Sequence, residues 1–579
     1  MDLNLDRRAM MRGVALAGAG LALPGWASPV SAGTTALPPE LSGEEMTLTV
    51  GHVMRTVDGK TAHGIGINGH APAPLIRLKE GQRVRIHVEN SLDEETSIHW
   101  HGLILPFQMD GVPGVSFPGI PARGRFTYDF PVIQSGTYWY HSHSGLQEQM
   151  GHYGPILIDP AGADPVAFDR EHVVMLSDHS PLHPHAIFRK LKLEPGYFNR
   201  QRQTIGGLLA GRDQKAGERV EWGAMRMDPT DIADVTATTY TYLVNGHGPA
   251  DNWTALFKPG ERVRLRFVNA SAMTTFNVRI PGLAMSVVAA DGLNIRPVEV
   301  DEFQFAPAET YDVVVVPAED RAFTIVGESI DRSGMARATL APRVGMTAPV
   351  PPLRRRPVAT MTDMGMGAMA MGGDCPPEHA AMGHCAPSGA GHSMDHSMRD
   401  FTPAPGVKRD PGVQTISPMP ADRTDYPGQG LEDVGHRTLN YRMLEALVPN
   451  PDMRAPGREI VIHLTGNMER YMWSFDGMKF AHVDKPIPMR SGERVRVTLI
   501  NDTMMGHPIH LHGHFFELVT GKGDHAPRKH TVLVQPGGKV SWDVTAQPGD
   551  WAFHCHMLYH MHAGMMQVVQ VRDAGGKVA

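Results

Sequence analysis

Thiols are nearly absent: Cys375, Cys385 and Cys555 are the only cysteines in 579 residues, too few for a disulfide scaffold. Positive charge is not in excess, since 54 Lys and Arg stand against 61 Asp and Glu for a net charge of -7, which gives a nucleic-acid partner no electrostatic footing. Apolar runs long enough to span a bilayer are missing. The one candidate, Gly13 to Leu23, falls well short of the roughly 20 residues a spanning helix needs. With Arg7-Arg8 before it and the small-residue site Val30-Ser31-Ala32 after it, that run reads as a twin-arginine export signal over residues 1–32. The expected destination is the periplasm, with no transmembrane anchor once the signal is cleaved. Long amphipathic helical patterns are scarce too, which turns the reading toward β structure.

What the chain has in excess is 31 His and 35 Met, borderline and soft ligands that make copper the first metal to consider. It also has internal repeats. Gly81-QRVRIHVEN-Ser91, Gly260-ERVRLRFVNA-Ser271 and Gly492-ERVRVTLIN-Asp502 each open on a turn glycine and then alternate apolar with charged residues, the period of a strand with one buried face. Three copies predict an all-β chain of three sandwich or barrel units, placed at 40–160, 165–345 and 430–575. From 351 to 425 the chain turns rich in Pro, Gly, Met and His and loses periodicity, as a linker or insert does.

Two units share a further likeness. Ile98-His99-Trp100-His101-Gly102 matches Ile509-His510-Leu511-His512-Gly513, and the run ending His141-Ser142-His143 matches the one ending His554-Cys555-His556. Residues i and i+2 of a strand face one way about 7 Å apart, a spacing suited to two imidazoles on adjacent metals. Four such pairs predict a polynuclear cluster between the first and third units. The second unit has no HxH after its repeat, so it reads as structural, or as a holder of the other two. Alternation sends Cys555 away from the cluster face, where His507, His560 and Met565 complete the two His, one thiolate and one axial Met of a blue-copper site. His183-Pro184-His185, an isolated HxH, reads as a surface accident.

The HWHG, HSH, HPIHLHG and HCHMLYHMHAGM segments resemble the four copper motifs of the multicopper oxidases, and runs such as HWHGLILPFQMDGVPGVSFPGIPARG resemble their copper-resistance protein A branch. The resemblance implies three cupredoxin-like Greek-key domains and four copper ions: one type 1, one type 2 and two type 3. It implies type 1 ligands His507, Cys555, His560 and Met565. Type 2 takes His99 and His510, and the type 3 pair takes His101, His141 and His556 on one copper with His143, His512 and His554 on the other. Asp110, nine residues past His101, falls where such oxidases keep an acid for proton delivery, so Asp110 and Cys555 are the expected catalytic residues. Met561 stands where some relatives have a second acid.

The expected reaction is oxidation of Cu(I) with O2 reduced to water, in the service of copper tolerance. Its basis is the Met/His insert, with Met361, Met364, Met366, Met369, Met371, Met382, Met394 and Met398 interleaved by His379, His384, His392 and His396. Laccase-like oxidation of phenols and plain copper sequestration by the insert are the alternatives. Cys375 and Cys385 can pair with each other or bind copper. Nothing in the sequence fixes the oligomeric state.

Overall fold

The computed structural model describes residues 34–366, 398–573 and 575–576. The export signal, Met369, Met371, Met382, Met394, the four insert histidines, Cys375 and Cys385 lie outside them. Among the described residues no helix is long and apolar enough to cross a membrane.

Six sheets form three two-sheet units. In each unit the repeated segment is the central strand of one sheet. Arg83–Asn90 lies parallel to Glu45–Val57 and antiparallel to Arg125–Pro131; Val263–Asn269 and Arg494–Asn501 have equivalent neighbours in the same directions. The other sheets of the first and third units carry the histidines. Strand His99–His101 pairs with Gly136–His141 so that His99 faces His141, and strand His507–Leu511 pairs with Gly549–Cys555 so that His510 faces His554. The two halves of the site are therefore built in one register.

All three repeat strands end in an asparagine that closes the same corner. Asn90 Nδ2 donates to the carbonyls of Glu94, Ile120 and Pro121 while its Oδ1 accepts the Leu92 N–H; Asn269 and Asn501 make equivalent bonds. Each lets the chain leave its strand without stranding buried backbone groups.

The expectation of one buried face holds for Arg83–Asn90 and fails for Val263–Asn269, which is buried along its whole length. Arg264 and Arg266 both donate to Asp312, at 2.6 and 2.9 Å, and Arg266 also reaches Thr137 Oγ1 at 3.0 Å. The charged face of this sheet packs on the first unit's histidine-bearing strand, so its charges are paired in place of being solvated.

The middle unit also holds three helices that the sequence reading did not pick out, Pro184–Leu193, Ile205–Leu209 and Ala216–Met225. His183 caps the first of them, its Nδ1 accepting the His185 N–H at 3.4 Å. The described flanks of the insert are tied down. Arg423 bonds Asp363 at 2.7 Å, and Ala421–Asp422 adds a parallel edge to the strand Gly538–Thr545.

The asparagine corner yields a prediction. Asn90→Ala leaves the Glu94 carbonyl and the Leu92 N–H without a partner and takes one of two hydrogen bonds from the Ile120 and Pro121 carbonyls, and should cost about 2–4 kcal/mol of copper-free stability, the penalty for orphaning one donor and one acceptor. A urea midpoint indistinguishable from that of the parent protein would refute this account of the corner.

Candidate metal centre

The eight HxH histidines meet at the junction of the first and third units. All are buried except His143, which is part exposed. Hydrogen bonds fix the tautomers of five of them. Because a carbonyl can only accept, the nitrogen facing one carries the proton. His99 Nδ1 donates to the Asp110 carbonyl at 2.7 Å, His510 Nδ1 to that of His530 at 2.7 Å, His554 Nδ1 to that of Cys555 at 2.9 Å, and His141 Nδ1 to that of Ser142 at 3.0 Å. His512 Nδ1 donates to Asp110 Oδ2 at 2.8 Å. Each of these rings is left with a bare Nε2 turned inward.

Those inward atoms crowd one another. His512 Nε2 and His554 Nε2 are 2.9 Å apart, and His143 Nε2 is 3.3 Å from His554 Nε2. Two lone pairs cannot hydrogen-bond each other, so this approach needs a cation between them. His99 Nε2, His101 Nδ1, His141 Nε2, His510 Nε2 and both nitrogens of His556 have no hydrogen-bond partner although buried. Such a set of buried nitrogens without hydrogen-bond partners fits a cluster of copper ions. Burial first, and neighbouring imidazoles next, hold the protonated forms of His101, His143, His510, His512 and His556 well below the ordinary range; His554, where burial again dominates, falls to about 3. The rings are neutral at pH 7, as ligation requires.

The second site is built around Cys555. Its Sγ lies 3.6 Å from His507 Nδ1 and 3.8 Å from His560 Nδ1, and the two nitrogens are 3.2 Å apart. The outer nitrogens are tethered, His507 Nε2 to Thr503 Oγ1 and His560 Nε2 to Asp234 Oδ2, each at 2.8 Å. Trp473 stacks on His560 at 3.9 Å, and Met565, fully buried, places its carbonyl on the Cys555 N–H. Burial pushes the Cys555 thiol well above its usual range, so metal binding must displace its proton. The thiolate and imidazole donors present here fit copper, and the neighbouring His554 and His556 point into the other site.

Of the expected residues, Asp110 enters the cluster from the end of the single 3-10 turn Phe107–Met109. It is buried, its carboxylate against His512 and its carbonyl against His99. Gly111 is obligatory beside it, because a Cβ there would lie 1.9 Å from the Ile98 carbonyl. Met561 is only partly buried and adds no acid.

Four residues in contact with the sites escaped the sequence reading. Glu148 Oε2 lies 2.9 Å from His141 Nδ1 and is raised well above the carboxylate range by burial and then by Asp178. Asp234 holds His560 and also accepts the Tyr471 hydroxyl at 2.7 Å. His530 Nδ1 lies 3.2 Å from His101 Nε2, and Thr531 Oγ1 is 3.3 Å from the same nitrogen. Glu148 lies only five residues past His143, so a buried acid there was open to suspicion. Asp234, His530 and Thr531 carry no spacing signal.

Sequence profiles described as multicopper oxidase match residues 49–163, 218–343 and 454–575. The chain is 46% identical to a copper resistance protein A homolog of Pseudomonas syringae pv. tomato and 45% identical to copper resistance protein A of Escherichia coli, in each case over 99% of this chain and 100% of the other. A laccase from Botrytis aclada superposes with a TM-score of 0.63 at 20% identity, covering 95% of this chain and 91% of that one, which supports the fold of three cupredoxin-like domains. The chain therefore belongs to the multicopper oxidases, oxidoreductases that bind four copper ions and pass electrons to O2.

Proposed function

We propose that this multicopper oxidase is a cuprous oxidase of copper tolerance, exported to the periplasm by its twin-arginine signal. The relatives named for copper resistance favour that setting. The reading is carried by one observation, a methionine cluster between the middle unit, the insert flanks and the third unit. Met225, Met227, Met361, Met364, Met366, Met398, Met468 and Met504 pack with Trp222, Ile232, Ile330 and Ala359. Methionine is common gap filler, but five of the eight are only partly buried, and Trp222, Met225, Met361 and Met366 line an open groove. Thioethers at an open edge select a soft monovalent ion. Met504 is fully buried three residues before His507, so the soft patch ends beside the Cys555 site.

In this reading His507, Cys555, His560 and Met565 hold the type 1 copper and His99 with His510 the type 2. His101, His141 and His556 hold one type 3 copper, and His143, His512 and His554 the other. Bound there, the coppers supply the one-electron acceptor and the four-electron store that O2 reduction needs. The chain's own residues do the rest. Asp234 fixes His560 so that its Nδ1 faces the thiolate. The His554-Cys555-His556 backbone gives a covalent path between the sites. Asp110 takes up and releases protons at Oδ1, which has no hydrogen-bond partner, while Oδ2 accepts from His512, and Glu148 is a second buried carboxyl, against His141.

The reductant is tested by replacing Met361, Met364 and Met366 with Leu and following oxygen uptake. KM for Cu(I) should rise about tenfold, equivalent to roughly 1.4 kcal/mol of lost affinity, with the rate on dimethoxyphenol unchanged. Equal losses on both reductants, or a phenol far outpacing Cu(I), would replace this reading with a laccase. Asp110→Asn should lower turnover by roughly 10²-fold, the low end for a lost proton carrier, and flatten the pH profile while the blue band still bleaches at the parent rate under anaerobic Cu(I). An unaltered pH profile would remove Asp110 from proton delivery.

A further inference from the structure

The middle unit supplies no HxH, yet one of its turns reaches the cluster's supports. Strands Met285–Ala290 and Leu293–Val300 are joined by the two-residue loop Asp291-Gly292, with φ of +47° and +81°. This is the tight hairpin geometry that Asp-Gly suits. The tip is wedged against the first unit. A Cβ on Gly292 would lie 2.3 Å from the Tyr138 ring, and one on Gly136 would lie 2.0 Å from the Gly292 carbonyl.

The Asp291 carboxylate faces the third unit and fixes three consecutive residues there. Oδ2 accepts the N–H groups of His530 at 3.1 Å and Thr531 at 3.0 Å, and Oδ1 pairs with Lys529 Nζ at 2.9 Å. Lys529 is itself fully buried and reaches Glu309 at 3.2 Å. The segment so fixed touches histidines from both halves of the cluster. The His530 carbonyl accepts from His510 Nδ1, and the His530 ring lies against His101 Nε2. Thr531 Oγ1 is within 3.3 Å of both those nitrogens.

We infer that Asp291 is a positioning residue for the trinuclear site: a latch by which the copper-free domain sets the Lys529-His530-Thr531 segment and, through it, the orientation of His510 and His101. The inference rests on the ligand assignment above. It explains what a domain without copper ligands contributes to a cluster between its two neighbours. Moving the segment by a fraction of an ångström would turn both rings, because their outward nitrogens have their partners on it.

The test uses full-length, copper-loaded protein. Asp291→Ala should weaken retention of cluster copper against a chelator by about 10–100-fold, the usual effect of losing an outer-shell partner, and change the type 2 electron paramagnetic resonance signal while the blue band persists. Asp291→Asn keeps an oxygen for the two N–H groups and should recover most of that retention. Thr531→Val, which spares the backbone bonds, should shift the type 2 signal even if Asp291→Ala does not fold. Parent-like type 2 signals in the folded variants would overturn the latch. So would parallel loss of blue and cluster copper in Asp291→Ala with no recovery in Asp291→Asn, since Asp291 would then act on stability alone. His510→Ala is the control: if it keeps the type 2 signal, the ligand assignment fails and the latch falls with it.

Discussion

Inward-facing nitrogen lone pairs about 3 Å apart are the condition everything else in this molecule serves. Neutral imidazoles gathered this way repel until a cation enters, and burial keeps protons from relieving them. The protein holds the arrangement by tying the outer nitrogen of ring after ring to a fixed acceptor. His99, His141, His510 and His554 use backbone carbonyls, and His512 uses the Asp110 carboxylate. A carbonyl in a strand or tight turn cannot rotate away, so the β framework does for the ligands what a flexible side-chain partner could not. Two sheets in one register, one from each outer domain, then bring the bare nitrogens together.

The same logic shapes the Cys555 site with a different outcome. Two imidazoles again turn one nitrogen inward and tether the other, but the third donor is a thiol whose proton burial makes hard to lose. Binding of a soft, strongly held metal compensates that cost, and a hard ion would not. Cys555 is flanked by His554 and His556, so the donor atoms of both sites hang on adjacent residues of one strand end. The strand's alternation, which separates the sites, is also what keeps them covalently connected.

Much of this was legible in the sequence because it rests on short-range periodicity. Alternation in the three repeats located the central strands, matched HxH pairs placed the cluster between the outer domains, and the alternation that turns Cys555 away from His554 and His556 separated the second site from it. What stayed hidden depends on contacts between distant segments. Asp110 and His512 are 402 positions apart, and His101 and His530 are 429 apart. No local pattern encodes either pairing. The burial of Arg264 and Arg266 was hidden for the same reason: alternation shows which face is charged, and only the neighbouring domain decides whether that face meets water. Two of the middle-domain helices lacked a signal of another kind, since Ile205–Leu209 contains two glycines and Pro184–Leu193 begins inside what reads as an HxH pair.

The middle domain shows how a copy without metal ligands is kept useful. It lacks the histidines of its siblings but retains their strand order and asparagine corner, so it is held to the same shape. Its acids work at a distance from their own core. Asp234 fixes the outer nitrogen of His560, Asp291 fixes the segment behind His510 and His101, and Asp312 joins its own sheet to Thr137, four residues before His141. Each carboxylate is paired or multiply hydrogen-bonded, as a buried charge must be. The outer domains own the donor atoms, and the acids of the middle one hold the groups that aim them. That division lets the geometry of the histidines be adjusted from a domain that has no HxH pair beside its repeat, which is a physical reason for three units where two supply all the clustered histidines.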